Sequence, residues 1–314
     1  MAVIEIERLT KDYGHNRGVF DVSFQVEEGE VYGFLGPNGA GKTTTIRHIM
    51  GFLRPQAGSV KVNGMDSWTN ARDIQRNLGY LPGEIALPES MNGTEFIRMM
   101  AELRGIRDLS RTRSLMDRFE LDPSGRLKRM SLGTKRKLAI VTAFMHDPAV
   151  LVLDEPTSGL DPIMQNIFIE FIREEKIRGK TILLSSHIFK EVEASCDTIS
   201  IIKDGRLVTT FAADDLRNLP EKTYELEFLS TEWFDRFARD LDPCRPFTVD
   251  SLTPATNRAI VTVRDEAVNE FIAFISNYEL ASLSEIKQGV EDTFMKFYDR
   301  HHQGMGRAGE HAAH

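Results

Sequence analysis

Over residues 1–215, short apolar runs alternate with stretches whose apolar residues recur at helical spacing. Ile4, Ile6 and Leu9 open the pattern, and strand-like runs follow at 19–26 and 31–35. A glycine-rich turn leads into a helix predicted over about 42–51. Further runs at 149–153 and 181–184 precede helices starting near Pro162 and His187, and paired runs at 198–203 and 206–211 close the region. Strands separated by helices predict a mainly parallel sheet with helices packed against it. The runs 19–26 and 31–35, joined only by 27–30, predict an antiparallel β pair instead. The stretch of about 92–146 is predicted helical throughout, as a subdomain inserted into the α/β core. It begins with Asn92-Gly93-Thr94-Glu95, which has the form of a capping box, and Phe96, Ile97, Met100 and Leu103 follow at helical spacing.

The pattern changes near 217. Residues 224–228 alternate as a half-buried strand, and Trp233, Phe234, Phe237 and Leu241 follow with a helical period. Strands are predicted at 247–249 and 260–263, then a helix on Val268, Phe271, Ile272 and Ile275. A weak strand near Leu283 and a helix through Val290, Phe294, Phe297 and Tyr298 complete it. The order β-α-β-β-α-β predicts a small α+β accessory domain of ferredoxin-like type over 217–300. The phenylalanines Phe228, Phe234, Phe237, Phe271, Phe274 and Phe294 then belong to its core. The tail, 301–314, carries four His among Gly and Ala with no apolar period, and is expected to be disordered.

Composition narrows the function classes. A length of 314 residues suits two domains, and 41% hydrophobic residues exclude disorder as the main state. With 39 Lys+Arg against 47 Asp+Glu, the net charge of −8 argues against nucleic acid held by a generally basic surface. Two cysteines, Cys196 and Cys244, cannot build a disulfide framework or a four-ligand zinc site. No run approaches the roughly 18 apolar residues of a membrane span. The first ten residues have neither a basic nor an apolar leader region. The expectation is a chain that is not secreted and does not cross a membrane alone.

The strongest chemical signal is Gly36-Pro37-Asn38-Gly39-Ala40-Gly41-Lys42-Thr43, followed by Thr44, which matches G-x-x-x-x-G-K-[ST] between a predicted strand and a predicted helix. Glycines let backbone N–H groups curl around phosphates, and the helix N-terminus adds positive potential. Lys42 is then placed to reach the β/γ-phosphates, and the Thr43 hydroxyl to ligate Mg²⁺. The apolar run 149–153 ends in Asp154 and Glu155, and a buried strand presents carboxylates only at its tip. Asp154 becomes the second candidate for Mg²⁺, and Glu155 a candidate general base.

With these residues in order, the chain resembles the nucleotide-binding subunit of an ATP-binding cassette (ABC) transporter over 1–215. The resemblance implies a P-loop NTPase fold of ABC ATPase type, an α/β core with an antiparallel β subdomain and a helical subdomain. Tyr13 stands where that family stacks an aromatic on adenine. Met130-Ser131-Leu132-Gly133-Thr134 stands at the signature segment, which binds the γ-phosphate held by the other subunit of a dimer; Ser131 and Gly133 match, whereas Leu132 and Thr134 depart. Arg126, Lys128, Arg129, Lys135, Arg136 and Lys137 surround it, a basic cluster read as serving ATP or a partner rather than nucleic acid. Ser158 and Asp161 resemble the D-loop, Asp161 being equally a helix cap before Pro162. His187 resembles the switch histidine that contacts the γ-phosphate and orients water. Gly83 stands at the position of the family's metal-contacting Gln, which leaves Glu84 as a candidate oxygen ligand in its place.

The resemblance implies ATP and Mg²⁺, and as partners a second copy or a homologous ATPase subunit together with separately encoded transmembrane permease subunits. It implies a location on the cytoplasmic face of the membrane, held there by the permease, and export rather than import. No direct nucleic-acid partner is expected. A soluble ABC ATPase acting on ribosomes or DNA, and an importer ATPase with a regulatory C-terminal domain, are the competing readings.

Overall fold

The computed structural model describes residues 1–217, 221–242 and 246–286, and the chain divides into two compact units, Met1–Ala213 and Asp214–His314. The expected helix through Val290, Phe294, Phe297 and Tyr298, the tail 301–314, and Cys244 lie outside the described residues.

The first unit begins with β1 (Ala2–Asp12), β2 (Gly18–Glu27) and β3 (Val31–Leu35), followed by α1 (Lys42–Ile49). Next come β4 (Ala57–Val62), β5 (Met65–Asp66), α2 (Ala71–Asn77) and β6 (Leu78–Leu81). Helices α3 (Gly93–Arg104), α4 (Ser110–Arg118) and α5 (Leu132–Phe144) form the helical segment. The unit finishes with β7 (Val150–Asp154), α6 (Pro162–Ile177), β8 (Thr181–Ser186), α7 (Phe189–Ser195), β9 (Thr198–Lys203) and β10 (Arg206–Ala212). Strands β2-β1-β4-β5 make one antiparallel sheet, and β10-β9-β3-β8-β7-β6 make a second. In the second sheet only β10 runs antiparallel to its neighbour.

The antiparallel pairing expected for 19–26 with 31–35 does not form. β2 pairs with β1, while β3 sits between β8 and β9 in the parallel sheet. The burial pattern gives the reason. β2 buries Val19, Val22, Phe24 and Val26 and exposes Asp21, Ser23 and Gln25 between them, which suits a sheet with one wet face. β3 is buried at all five positions, so it requires cover on both faces, which only the centre of the parallel sheet supplies. The connection is tied to that sheet instead, because Gly29 N donates to Thr181 Oγ1 (2.9 Å) and Ile182 N donates to Glu30 O (2.8 Å).

The segment 92–146 is also less continuous than expected. α3 stops at Gly105, whose φ of 68° is left-handed, and the helical content of residues 119–131 is a single 3₁₀ turn, Leu127–Arg129. Its start is as the sequence predicts, with Asn92 Oδ1 accepting from Glu95 N (2.8 Å) and Glu95 Oε2 accepting from Asn92 N (2.9 Å). α4 is latched to α6 through Arg118, which pairs with Glu174, and through Arg111, which reaches the buried Glu175 at 3.0 Å.

After α8 (Ala213–Arg217), the second unit contains β11 (Glu221–Phe228), α9 (Thr231–Arg239), β12 (Phe247–Thr253), β13 (Arg258–Arg264), α10 (Val268–Ile275) and β14 (Leu280–Ile286). The sheet order β12-β13-β11-β14, antiparallel at every pair, is that of a ferredoxin-like βαββαβ fold. Leu226, Phe228, Val261 and Val263 from the strands meet Phe234, Phe237, Phe271 and Phe274 from the helices in one core.

Candidate functional site

The turn between β3 and α1 wraps residues 36–41 with Gly39 at φ 83° and Gly41 at φ 111°, a left-handed conformation that favours glycine. Gly41 additionally has no room, since a Cβ there would stand 2.8 Å from Val19 Cγ1. The turn folds Lys42 back on itself, and its Nζ donates to Gly36 O (2.6 Å) and Pro37 O (3.2 Å). A cavity of about 550 Å³ opens over this turn. Asn38, Gly39, Gly41, Lys42, Thr43 and Thr44 line its floor, with Tyr13, Asn16, Arg17, Arg47, Glu155 and Asp204 around it. Three cations against two carboxylates give the cavity a bias toward anions.

Gly36, Pro37 and Ala40 complete the turn without lining the cavity. Tyr13 is half exposed at the mouth, on a tight turn where Tyr13 N donates to Arg17 O (2.8 Å) and Lys11 Nζ stands 5.8 Å over its ring.

The tip of β7 brings both predicted carboxylates to this turn. Asp154 is fully buried, and its Oδ2 accepts from Thr43 Oγ1 at 2.8 Å while Oδ1 accepts from Ser185 Oγ at 2.5 Å. Thr43 and Asp154 thus form a cluster of hard oxygen donors beside a phosphate-shaped turn, a set that fits Mg²⁺. Glu155 occupies a left-handed backbone (φ 49°) unusual for a side-chain-bearing residue, which turns it out of the strand. Its Oε1 lies 3.0 Å from Lys42 Nζ and its Oε2 accepts from His187 Nδ1 at 2.6 Å. The strand tip therefore carries a metal-type carboxylate and a second carboxylate held between a lysine and a histidine.

Gly83 lies against the same place, because a Cβ on it would stand 3.0 Å from Asp154 Oδ2. Glu84 is exposed, and no hydrogen bond or ion pair among the described residues joins it to Thr43 or Asp154. Tyr80, on β6, feels the Asp154 charge as well; burial first, and that charge second, push its hydroxyl up to about 12.

The remaining predicted residues assemble elsewhere. Ser131 caps α5, with its Oγ accepting from Thr134 N at 3.1 Å. Leu132 is exposed and packs on Gly159, and a Cβ on Gly133 would come within 3.0 Å of Gly159 O. Asp161 caps α6 through Met164 N (3.0 Å) and Ile163 N (3.1 Å), and these N–H groups, Met164 foremost, hold its carboxyl below the usual range. Ser131, Leu132, Gly133, Ser158 and Asp161 line no part of the 550 Å³ cavity.

Three buried side chains support the strand tip in ways that were not predicted from the sequence. Ser185 locks Asp154, and the polar pair Ser185-Ser186 ending an apolar strand was a usable signal. Buried Glu191 accepts from Ser186 Oγ at 2.6 Å, and burial pushes its carboxyl up to about 7. Arg136, read only as one of a basic cluster, is buried and bonds to the loops around the strand tip.

Comparison with known proteins follows the same lines. The family model described as ABC transporter matches residues 19–158. The ABC transporter ATP-binding protein NatA of Bacillus subtilis is 37% identical, over 68% of this chain and 89% of that protein. The Nod factor export ATP-binding protein I of Paraburkholderia xenovorans is 35% identical, over 68% of this chain and 72% of its own length. Among solved structures, an ATP-binding subunit of an ABC transporter superposes with a TM-score of 0.63 at 34% identity, covering 68% of this chain and 92% of that one.

Proposed function

Since the chain belongs to the ABC transporter family as an ATP-binding domain, we propose that it is the ATP-hydrolysing subunit of an exporter, dimerising around two ATP molecules and driving separately encoded membrane subunits. The observation that carries this reading is the tip of β7, where Thr43 meets Asp154 and Lys42, Glu155 and His187 form a continuous chain of contacts.

The triphosphate sits on the 36–44 turn, where the backbone N–H groups and the start of α1 bind its oxygens, and Tyr13 stacks on the base. Thr43 and Asp154 would hold Mg²⁺, which when bound neutralises charge on the β- and γ-phosphate oxygens. Lys42 Nζ exchanges the carbonyls of Gly36 and Pro37, and the Glu155 carboxylate, for phosphate oxygens. Glu155, released from the lysine but still bonded to His187 Nδ1, polarises the attacking water as general base. Half exposed, His187 when doubly protonated donates from Nε2 to the γ-phosphate while its Nδ1 donates to Glu155. Residues 131–133, remote from the chain's own cavity, cover the γ-phosphate of a second copy, with Ser158 and Asp161 beside them.

Export is supported by the name of the Nod factor relative. No helix among the described residues is long and apolar enough to cross a membrane. Attachment to the cytoplasmic face through permease subunits is supported by relatives named as ATP-binding proteins of transporters.

The test is Glu155→Gln. The variant is expected to keep ATP binding, to lose roughly 10²–10⁴-fold in turnover, and to sediment as a dimer with ATP but not with ADP. Near-normal turnover, or a sedimentation rate indifferent to nucleotide, overturns the assignment. Affinity purification from detergent-solubilised membranes tests the transport role, with a multi-span membrane protein expected to accompany the chain.

A further inference from the structure

Arg136 heads the fully buried side chains of the described residues by volume, yet it carries a charge. Its three hydrogen bonds run to main-chain carbonyls: Nη1 donates to Pro82 O (2.9 Å), Nη2 to Gly83 O (2.7 Å) and Nε to Ser158 O (3.0 Å). Burying a guanidinium is costly unless its surroundings support the charge. Here burial lowers its pKa, and the fields of Asp154, Glu155 and Glu191 oppose that effect.

The carbonyls it holds are not incidental ones. Gly83 is the residue whose backbone lies against Asp154. Ser158 is hydrogen-bonded from its N–H to Glu155 O at 3.1 Å. Arg136 therefore stands one residue from the metal-type carboxylate on one side and one hydrogen bond from the base on the other. Its own helix, α5, is capped by Ser131 little more than one turn away. A planar fork with donors in fixed directions can register three backbone segments at once, which a flexible ammonium cannot.

We propose that Arg136 is a positioning residue that ties the N-terminal end of α5 to the backbone beside Asp154 and Glu155, so that contact of 131–133 with a partner's nucleotide sets the geometry of the chain's own hydrolytic site. The proposal rests on the reading of 131–133 as the segment that meets a second copy's ATP. Lys42 and Thr43 are not bonded to Arg136, so nucleotide affinity is independent of it, whereas the alignment needed for hydrolysis is not.

The experiment compares Arg136→Gln and Arg136→Lys in the full chain, measuring ATP affinity, KM, kcat and thermal stability, and repeats sedimentation with ATP in the Glu155→Gln background. Arg136→Gln is expected to leave ATP affinity, KM and ATP-driven dimerisation unchanged while kcat falls about 10–100-fold, the usual loss for outer-sphere supports. Arg136→Lys, keeping charge without the fork, is expected to fall between that value and the native one. A folded Arg136→Gln with native kcat overturns the proposal. So does a loss of kcat matched by equal losses of affinity and of stability, which marks a packing role. Should Arg136→Gln fail to fold, Arg136→Lys decides alone by the split between kcat and KM, native kcat again overturning the proposal. Ser131→Arg separates the two readings. If it fails to abolish ATP-driven dimerisation, the assignment of 131–133 falls, whatever Arg136 does.

Discussion

At the scale of single residues, the site stores its charges in pairs that a nucleotide must rearrange. Lys42 is buried and committed to two carbonyls and Glu155. Replacing it with alanine removes the charge on the β/γ-phosphates, and hydrogen bonds to charged groups contribute about 1.5–3 kcal/mol each. Lys42→Ala should therefore bind ATP roughly 10–100-fold more weakly, read by titration with a fluorescent ATP analogue; native affinity in a folded variant would remove Lys42 from the phosphate site. Glu191 makes a different prediction. Burial raises its pKa from 4.5 to about 7, so between those values the native chain holds a proton that the unfolded chain has released. Stability from this group is then fully present below about pH 4.5 and is lost as pH rises through 7. Glu191→Gln keeps the acceptor for Ser186 and abolishes the titration. Its melting temperature should exceed the native value at pH 8 and converge with it toward pH 5; a gap independent of pH would exclude this carboxyl as the source.

Elements are held at their ends as much as along their faces. The capping box on α3 satisfies two otherwise orphaned N–H groups with side chains three residues apart, and it is contained entirely in Asn92 and Glu95. Asn92→Ala should cost about 1 kcal/mol. That lowers the melting temperature of the ATP-binding unit by about 2–4 °C for a unit of this size. An unchanged unfolding curve would show that the cap is replaced by water at no cost. The latch between α4 and α6 works through another mechanism. The Arg118–Glu174 pair is partly exposed but two-pronged, Nη1 and Nη2 donating to Oε2 (2.5 Å) and Oε1 (2.7 Å), the geometry in which a surface pair contributes. Arg111 and Arg178 both reach Glu175, whose side chain is 4% exposed and whose carboxylate needs those donors.

At the scale of the whole molecule, two cores are built from separate stretches of chain. One joins Ile4, Val22, Phe34, Ile46 and Val152, and the other joins Leu226, Phe237, Val261 and Phe271. The 550 Å³ cavity is lined by residues no later than Gly205. A chain ending at Arg217 is accordingly expected to fold and to bind ATP with the affinity of the full protein, checked by circular dichroism and titration. A folded truncation that has lost ATP binding would place part of the nucleotide site downstream.

What the amino-acid sequence determined by itself was local. The phosphate turn needs its glycines and Lys42 within eight consecutive residues, the caps need three or four, and strand and helix periods repeat over a few more. Each is legible because its physics is confined to neighbours along the chain. The βαββαβ order of the second unit was legible for the same reason, as successive periodic segments. Tertiary structure decided what depends on partners far away in sequence. β3 joined β8 and β9 rather than β2 because its burial on both faces could be met only by strands about 150 residues downstream. Ser185 became the lock on Asp154 when β7 and β8 paired in register. Arg136 passed from one cation in a basic run to a buried tie because α5 packs where the carbonyls of Pro82, Gly83 and Ser158 converge. Charge alone does not say whether a side chain meets water or carbonyl oxygens; only the packing of the helix supplies that.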